Sequence, residues 1–233
     1  MPAPSRPDEP SGAAQLDDQV RKADPDRWLA TRFVADPAAR ADVIALYAYD
    51  AELARAPRAA SNTLMAEIRL TWWREVLDQI YAGEPVRRHP VAEALADTVA
   101  RHGLPRAPLE AMIDARIEAL GLEQLDAEAA AAWADQVGGS AAVLAAAILD
   151  PVQPERARPA GRAWGFALLR RAGKLSVTGP LKGALAAASP AVSVKAFPAI
   201  AHVALARPDL RSAQLSDLGK RLRLLWAVLR GRV

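Results

Sequence analysis

The sequence predicts an all-α fold, built as a single helical bundle. Apolar residues recur at helical spacing along almost the whole chain, and no alternating strand pattern of useful length is present. Aromatic residues make up only 5% of the 233 residues and alanine is abundant, which favours closely packed helices. Cysteine is absent, so disulfides, thiolate zinc sites and a cysteine nucleophile are excluded.

The first residues differ in composition from the rest of the chain. Residues 1–22 are polar, acidic and rich in proline, so we expect a disordered N-terminal tail and no secretory signal. Residues 23–233 then form the helical domain. The longest uncharged apolar run, residues 136–149, is shorter than the roughly 20 residues that a membrane span needs. We therefore expect a soluble, cytoplasmic protein.

Helix start and stop signals define the elements of this domain in order. Asp24 and Asp36 each precede a proline, which is an N-cap followed by proline in the first helical position. Glycines such as Gly83 and Gly103 follow apolar stripes and are typical helix ends. The helices are expected at residues 24–35, 37–56, 61–83, 89–103, 106–121, 126–150, 156–173 and 210–230, with an irregular segment at 174–193.

Two of these helices have unusual features. Gly138 and Gly139 fall in the middle of one helix, where each glycine costs on the order of 1 kcal/mol, so they indicate either a close helix approach or a kink. The final helix carries leucines and Trp226 on one side. Its polar positions include the basic residues Lys220, Arg221, Arg223 and Arg230.

Charge is distributed very unevenly along the chain. Residues 1–155 carry 15 basic and 25 acidic residues, a net charge of −10, whereas residues 156–233 carry 15 basic and 2 acidic residues, a net charge of +13. Either the two halves neutralise each other, or the basic end contacts an anionic partner such as phospholipid, diphosphate or an acidic protein face. Nucleic acid is not expected, because no recognition motif or aromatic stacking platform is visible.

One segment resembles a known enzyme family. Residues 70–95, LTWWREVLDQIYAGEPVRRHPVAEAL, resemble the squalene/phytoene synthases, in which a Trp-Arg helix ends in a Tyr-x-Gly turn followed by His-Pro and another helix. RADVIALYAYDAELA, WADQVGGSAAVLAAAIL and AGRAWGFALLRR are similar to further helices of that family. The resemblance covers roughly residues 28–175 and implies an isoprenoid-synthase-like helical bundle.

Active members of that family carry two aspartate-rich motifs on facing helices. Their Mg²⁺ ions neutralise the leaving diphosphate, and Mg²⁺ prefers carboxylate oxygens. At the matching positions, this chain has Ala54, Arg55 and Arg58 for the first motif. It has Arg170, Arg171 and Lys174 around the second. Arginine cannot ligate Mg²⁺, so the resemblance implies loss of the metal-dependent reaction, with no catalytic residue, no metal ligand and no cofactor.

A narrower resemblance concerns one branch of the family, typified by the mitochondrial complex I assembly factor of phytoene-synthase type. DAELA at 50–54, IDARIEAL at 113–120 and VKAFPAI at 194–200 are similar to that branch. It implies a non-catalytic role in assembling the respiratory NADH:quinone oxidoreductase, with complex I subunits or assembly intermediates as partners. The basic final helix adds an anionic membrane surface as a partner, and hence a peripheral position at the inner membrane.

Two alternatives to this function stay open. The chain could be a Mg²⁺-dependent prenyl-diphosphate transferase with divergent ligands, in which Asp50, Glu52, Asp114 and Asp135 converge. It could instead be a binding module that holds a prenyl lipid in an apolar cavity between its helices.

Individual side chains allow both structural and functional interpretations. Asp50 and Glu52 are two residues apart and point to different helix faces, which disfavours a shared metal. Asp114 could flank a cation or lie on a solvated face, and Arg74 is expected to pair with an acid from a neighbouring helix. The candidates for lining a cavity or contacting a partner are Tyr47, Asp50, Glu52, Trp73, Asp114, Arg170, Arg171, Lys174, Lys195 and Phe197.

Overall fold

The computed structural model describes residues 12–60, 62–177, 179–188, 192–211 and 215–233. Within these ranges the chain consists of helices joined by turns and loops and contains no strand, so the predicted all-α class is confirmed.

The helices follow one another closely along the chain. The α-helices are α1 (Gly12–Ala23), α2 (Pro25–Thr31), α3 (Pro37–Arg55), α4 (Thr63–Ala82), α5 (Pro90–His102), α6 (Arg106–Glu118), α7 (Ala127–Trp133), α8 (Ser140–Leu149), α9 (Arg158–Arg171), α10 (Gly179–Ala187) and α11 (Asp217–Arg230). A π-helical segment (Ala134–Gly139) joins α7 to α8, and 3₁₀ segments occur at Pro154–Ala157, Phe197–Ala199 and Ala201–Arg211.

The N-terminal segment corrects one prediction. Residues 12–22, which composition assigns to a disordered tail, form most of α1. Leu16 and Val20 lie one turn apart and are buried where α1 packs on α2 and α3. Two apolar residues hardly change the average composition of this polar segment, but they are sufficient to pack α1 against the bundle. Residues 1–11, the rest of the predicted tail, lie outside the described residues.

Helix α3 lies at the centre of the bundle. The side chain of Asp36 caps its N-terminus by accepting hydrogen bonds from the N–H groups of Ala38 and Ala39, as the sequence predicts. Every residue from 42 to 50 is buried, because α1, α5 and α8 all pack around this helix. Two acidic side chains therefore lie in the core, Asp42 and Asp50.

The glycine pair marks a very close helix crossing, one of the two predicted outcomes. A β-carbon on Gly138 would lie 2.2 Å from the carbonyl oxygen of Gly161, and one on Gly165 would lie 2.5 Å from that of Ala134. The π-helical segment therefore contacts the backbone of α9 directly. Only glycine permits this approach without displacing one of the two backbones.

The apolar helix that contains this crossing is a core element. The run from Ala127 to Leu149 is long and apolar enough, by length and composition, to cross a membrane. However, 67% of its apolar window is buried inside the bundle, which is typical of the core helix of a globular domain.

The C-terminal part also differs from expectation. Helix α10 falls in the segment predicted to be irregular, because Leu181 and Leu185 lie one turn apart and both reach the core. The final helix starts at Asp217, with Ser216 as its N-cap, and not at Leu210 as predicted. It packs on the 3₁₀ segment Ala201–Arg211 and on α2.

Candidate functional site

The centre of the bundle holds a buried ionic cluster. Asp50 on α3 lies between two arginines, Arg27 on α2 and Arg116 on α6, and each guanidinium pairs with a different carboxylate oxygen. All three residues are buried. Arg116 also donates to the carbonyl of Met112 (2.7 Å) within its own helix. The carboxylate of Asp50 therefore has both oxygens engaged by positively charged donors.

Electrostatics keep this cluster charged. Burial alone would raise the pKa of Asp50, but Arg116 and Arg27 outweigh it and hold the pKa below its usual value. Burial would similarly lower the pKa of Arg27, whereas Asp50 and Asp24 raise it above its ordinary value. Asp50 is thus an ionised carboxylate paired with two arginine cations, as expected because charged groups in a protein interior need partners of opposite charge.

Aromatic side chains extend the cluster toward the C-terminal segment. The guanidinium of Arg27 lies 5.1 Å from the ring centre of Tyr47. The rings of Tyr47 and Trp164 both make edge contacts with His202, at centroid distances of 6.4 and 4.7 Å. Arg171 covers Trp164 at 4.6 Å. A layer of arginine and aromatic groups, buried except for Arg171 at its edge, therefore joins α2, α3, α9 and the 3₁₀ segment Ala201–Arg211.

Three nitrogen atoms in this layer are buried without a hydrogen-bond partner in the part of the chain that the structure describes. They are Arg27 Nε, Trp164 Nε1 and His202 Nδ1. Burial lowers the pKa of His202 well below its ordinary value, and the positive charges of Arg27 and Arg171 lower it further. His202 is therefore a neutral imidazole between two cations.

The carboxylates do not converge on a site that fits Mg²⁺. Glu52 accepts hydrogen bonds from Gln19 on α1 (2.7 Å) and from Arg55, on the other side of α3 from Asp50. Asp114 pairs with Arg74 (2.6 Å) and Asp135 with Arg158 (3.2 Å). Among the described residues, no group of three or more His, Asp or Glu side chains could hold a metal ion. The four carboxylates of the transferase hypothesis therefore lie at four separate places, and each pairs with its own arginine or arginines.

The residues at the two expected aspartate-motif positions are engaged elsewhere. Near the first motif, exposed Arg55 pairs with Glu52, and Arg58 donates to the carbonyl of Ala54 (3.1 Å). Near the second, Lys174 Nζ donates to the carbonyls of residues 119 and 122 (3.3 and 2.5 Å), just after α6 ends. This lysine thus caps a neighbouring helix.

The two arginines before Lys174 occupy the last turn of α9. Arg171 pairs with the buried carboxylate of Asp26 (3.0 Å), which also accepts from Lys220 (2.7 Å) on α11. Arg170 is half-buried beside it. These contacts neutralise one acidic residue of the N-terminal half with two basic residues of the C-terminal half. Part of the charge asymmetry is therefore resolved inside the molecule.

The aromatic and surface candidates separate into core and exposed groups. Trp73 is buried and packs edge-on against Tyr49 and His89, which makes it a core residue. Arg74 pairs with Asp114 on α6, so its predicted acid from a neighbouring helix is confirmed. Asp114 itself is 41% exposed, consistent with a solvated face.

The VKAFPAI segment is a turn docked on the bundle. Phe197 is buried, whereas Lys195 is exposed and Val194 is 92% exposed. Ser193 anchors the start of the turn by donating to Asp150 (2.6 Å). The Ser193 hydrogen bond lowers the pKa of Asp150, and the nearby charge of Lys195 lowers it further. Val194 and Lys195 thus form a small exposed tip held by a buried base.

One apolar pocket is lined by residues other than those of the ionic cluster. It has a volume of about 300 Å³ and lies at the surface between α2 and α11. Its lining residues are Trp28, Leu29, Arg32, Phe33, Arg221 and Leu224. Along WADQVGGSAAVLAAAIL, the backbone of α9 is in direct contact with Gly138, so helix backbone fills the space beside that residue.

Sequence patterns do not single out three members of the central layer, Arg27, Trp164 and His202. Arg27 and Arg116 are 23 and 66 residues from Asp50, so no local spacing links them. The sequence contains one signal for Arg27. It follows a capping Asp-Pro pair in a short helix, and the only acidic residue one turn away from it is Asp24, so its charge calls for a partner from another helix. Arg116 lies between Asp114 and Glu118 in sequence, yet its side chain points inward.

Comparison with known proteins agrees with the geometry of the bundle. A crystal structure of the squalene synthase HpnC from Alicyclobacillus acidocaldarius superposes with a TM-score of 0.56 at 18% identity, covering 94% of each chain. At this identity, the likeness shows that the two proteins share a fold.

Sequence comparison identifies one relative among curated proteins. It is "NADH dehydrogenase (ubiquinone) complex I, assembly factor 6" of Bos taurus, 33% identical over 98 residues. The aligned part is 42% of this chain and 28% of the relative, so the chain matches less than a third of that protein's length. The sequence profile of the squalene/phytoene synthases matches residues 20–170, which is more than half of the chain. The chain therefore belongs to the squalene/phytoene synthase family.

Proposed function

We propose that this chain is a non-catalytic member of the squalene/phytoene synthase family that aids assembly of the respiratory NADH:quinone oxidoreductase, complex I. The observation that carries the proposal is the position of Asp50 between Arg27 and Arg116. Asp50 is the buried carboxylate nearest in sequence to the expected first aspartate motif. Its two oxygens are already occupied by guanidinium groups, so they are unavailable as metal ligands.

The chemistry of the family supports the non-catalytic part. Ionisation of a prenyl diphosphate needs Mg²⁺ held by carboxylates, and ions in a two-metal site lie roughly 3.5–4 Å apart. The described carboxylates that could replace the missing motifs are each paired with an arginine instead. The donor set therefore does not fit the metal that the family's reaction requires.

The assembly role is supported by the relative and by the exposed turn. The Bos taurus protein is named as a complex I assembly factor. The tip formed by Val194 and Lys195 is anchored by Phe197 and Ser193. A rigid base beneath two exposed side chains suits contact with a complex I subunit or an assembly intermediate. We place this contact in the cytoplasm, at the surface of the inner membrane.

Gene deletion in the native host tests the assembly role. We expect NADH:quinone oxidoreductase activity and the amount of assembled complex on native gels to fall, and both to return when the wild-type gene is restored. A Val194→Asp, Lys195→Glu double variant should restore less than the wild type if the tip contacts the partner. A Leu122→Asp variant is the matched control, since Leu122 is also an exposed apolar residue in a loop. Unchanged oxidoreductase activity after deletion would overturn the proposal.

Incubation of the purified protein with farnesyl or geranylgeranyl diphosphate and Mg²⁺ tests the absence of catalysis. An active synthase assayed in parallel serves as the positive control, and products are measured by mass spectrometry. We expect no released diphosphate and no condensed prenyl product. Either product would assign the chain to the transferases and would show that carboxylates converge only when substrate is bound.

A further inference from the structure

The outer face of α11 exposes a continuous apolar stripe. Its members are 45–68% exposed, far more than a leucine or tryptophan retains in a core. They are Leu218, Leu222, Leu225, Trp226 and Leu229. Contiguous exposed apolar surface of this kind marks an interaction site, unlike single scattered residues.

The stripe lies opposite the side by which α11 packs on the bundle. Successive residues of an α-helix are about 100° apart, which gathers the stripe into an arc of roughly 100°. Leu224 and Ala227, which are buried, lie on the other side of the helix. The stripe therefore projects away from the domain, and no described residue covers it.

Basic residues border the stripe on both sides. On the same helical projection, Arg221 lies beyond one edge and Arg230 beyond the other, and both are exposed. Arg230 packs over the ring of Trp226 at 4.3 Å. Among the described residues, neither arginine pairs with a carboxylate. The only acidic residue of α11 is Asp217, in its first turn.

A surface pocket lies beyond the Arg221 edge of the stripe. Arg221 and Leu224 of α11 form one wall of the pocket, and Leu29 and Phe33 contribute apolar surface from the opposite side. Arg32 lies at the same pocket, over the ring of Trp28 at 4.6 Å. Arg221 therefore lies between the stripe and this pocket, and Arg32 adds a second guanidinium group at the pocket.

From this geometry we propose that the outer face of α11 binds the surface of an anionic phospholipid bilayer. A helix with leucines and tryptophan on one face and arginines at its borders lies in the membrane interface, with its apolar face in the acyl region. The arginine stems follow the apolar surface while their guanidinium groups reach lipid phosphates.

The charges favour a lipid surface over a second copy of the chain. Pairing two α11 stripes would place the Arg221 and Arg230 groups of both copies around one apolar seam, with only Asp217 to oppose them. Like charges at an interface disfavour association. A bilayer that contains anionic lipid supplies the missing negative charge along the full length of the helix. This proposal does not depend on the role in complex I assembly.

Sedimentation of the full chain with vesicles tests the proposal. We expect binding to vesicles of phosphatidylcholine mixed with phosphatidylglycerol, weaker binding in high salt, and little binding to phosphatidylcholine alone. Arg221→Ala and Arg230→Ala should each lower the partition coefficient roughly fivefold, which corresponds to about 1 kcal/mol per basic residue. Leu222→Glu with Leu229→Glu should abolish binding.

A matched variant shows whether the effect belongs to α11. Leu64 and Ile68 are 64% and 52% exposed on α4, so Leu64→Glu with Ile68→Glu makes the same chemical change elsewhere. This control should bind like the wild type. Failure of the wild type to bind anionic vesicles would overturn the proposal, as would equal loss of binding in both double variants. A concentration-dependent dimer that the α11 variant abolishes, without vesicle binding, would assign the stripe to a second copy instead.

Discussion

The centre of α3 and the outer face of α11 both depart from the usual distribution of side chains, in which charged groups are exposed and large apolar groups are buried. In α3, the charged residue Asp50 is buried and its charge is balanced by two arginines within the domain. In α11, five large apolar residues are exposed and no described part of the chain covers them. The first departure is explained entirely by internal contacts. The second lacks such an explanation and therefore points to something outside the chain.

The largest expected effect comes from removing the central carboxylate. Asp50→Ala leaves Arg27 and Arg116 buried without their shared anion, so we expect the free energy of unfolding to fall by roughly 3–5 kcal/mol. Urea denaturation followed by circular dichroism measures this loss. Asp114→Ala is the control, because its ion pair with Arg74 is 41% exposed on both sides and should contribute less than about 1 kcal/mol. Equal losses in the two variants would show that the central cluster stabilises the fold no more than an exposed ion pair does.

The glycine crossing should give the next largest effect. A β-carbon on Gly161 would lie 2.3 Å from the carbonyl oxygen of Gly138, so Gly161→Ala forces two helix backbones apart. We expect a loss of about 1–3 kcal/mol or more in urea denaturation. Gly183→Ala on α10 is the matched control, because nothing lies within 4 Å of its β-carbon position. There, alanine should stabilise the helix by roughly 0.8–1 kcal/mol. A neutral Gly161→Ala would show that α9 can move away and leave room for a ligand.

The pH dependence of stability tests the environment of His202. Its pKa in the folded protein lies well below the ordinary value of 6.5, so the unfolded chain binds a proton that the folded protein excludes. The stability contributed by neutral His202 is therefore fully present above pH 6.5 and is lost as the pH falls toward the folded pKa. The expected slope is up to about 1.4 kcal/mol per pH unit.

Substitution of His202 isolates this slope. We expect His202→Leu to flatten the dependence of the unfolding free energy on pH between about pH 6.5 and pH 5. His89→Asn removes a different histidine while keeping a side chain that can cap α5, so it should retain the wild-type slope. A slope unchanged by His202→Leu would show that other groups set the acid sensitivity.

The sequence predicts the local elements of this fold better than its central contacts. Caps such as Asp36 and breakers such as Gly83 act within a few residues, so α3 and α4 begin and end close to their expected positions. The pairing of Asp50 with two distant arginines depends on how three helices pack, and no spacing in the sequence contains that information. The separation of Asp50 and Glu52 onto different faces of α3 could be predicted, because side chains two positions apart on a helix point in different directions.

The direction of the α11 stripe could not be predicted either. Periodicity shows that leucines and Trp226 share one side of the helix, and a periodic apolar side is ordinarily the buried one. Here the domain buries the smaller side, Leu224 and Ala227, and leaves the larger side in solvent. Only the arrangement of the 3₁₀ segment Ala201–Arg211 and α2 decides which side faces inward. A functional surface was therefore indistinguishable from a core helix at the level of sequence.

The smallest expected effect on stability distinguishes the two sides of α11. Leu222→Ala should change the free energy of unfolding by no more than about 0.5 kcal/mol, because the side chain is 58% exposed and has little packing to lose. Leu224→Ala, two residues away, removes a buried side chain and should cost roughly 2–5 kcal/mol. Urea denaturation of both variants in the absence of lipid makes the comparison. A large loss for Leu222→Ala would mean that the stripe packs on residues outside the described ranges. A small loss, together with weaker binding to anionic vesicles, would show that Leu222 serves a surface contact and contributes little to the fold.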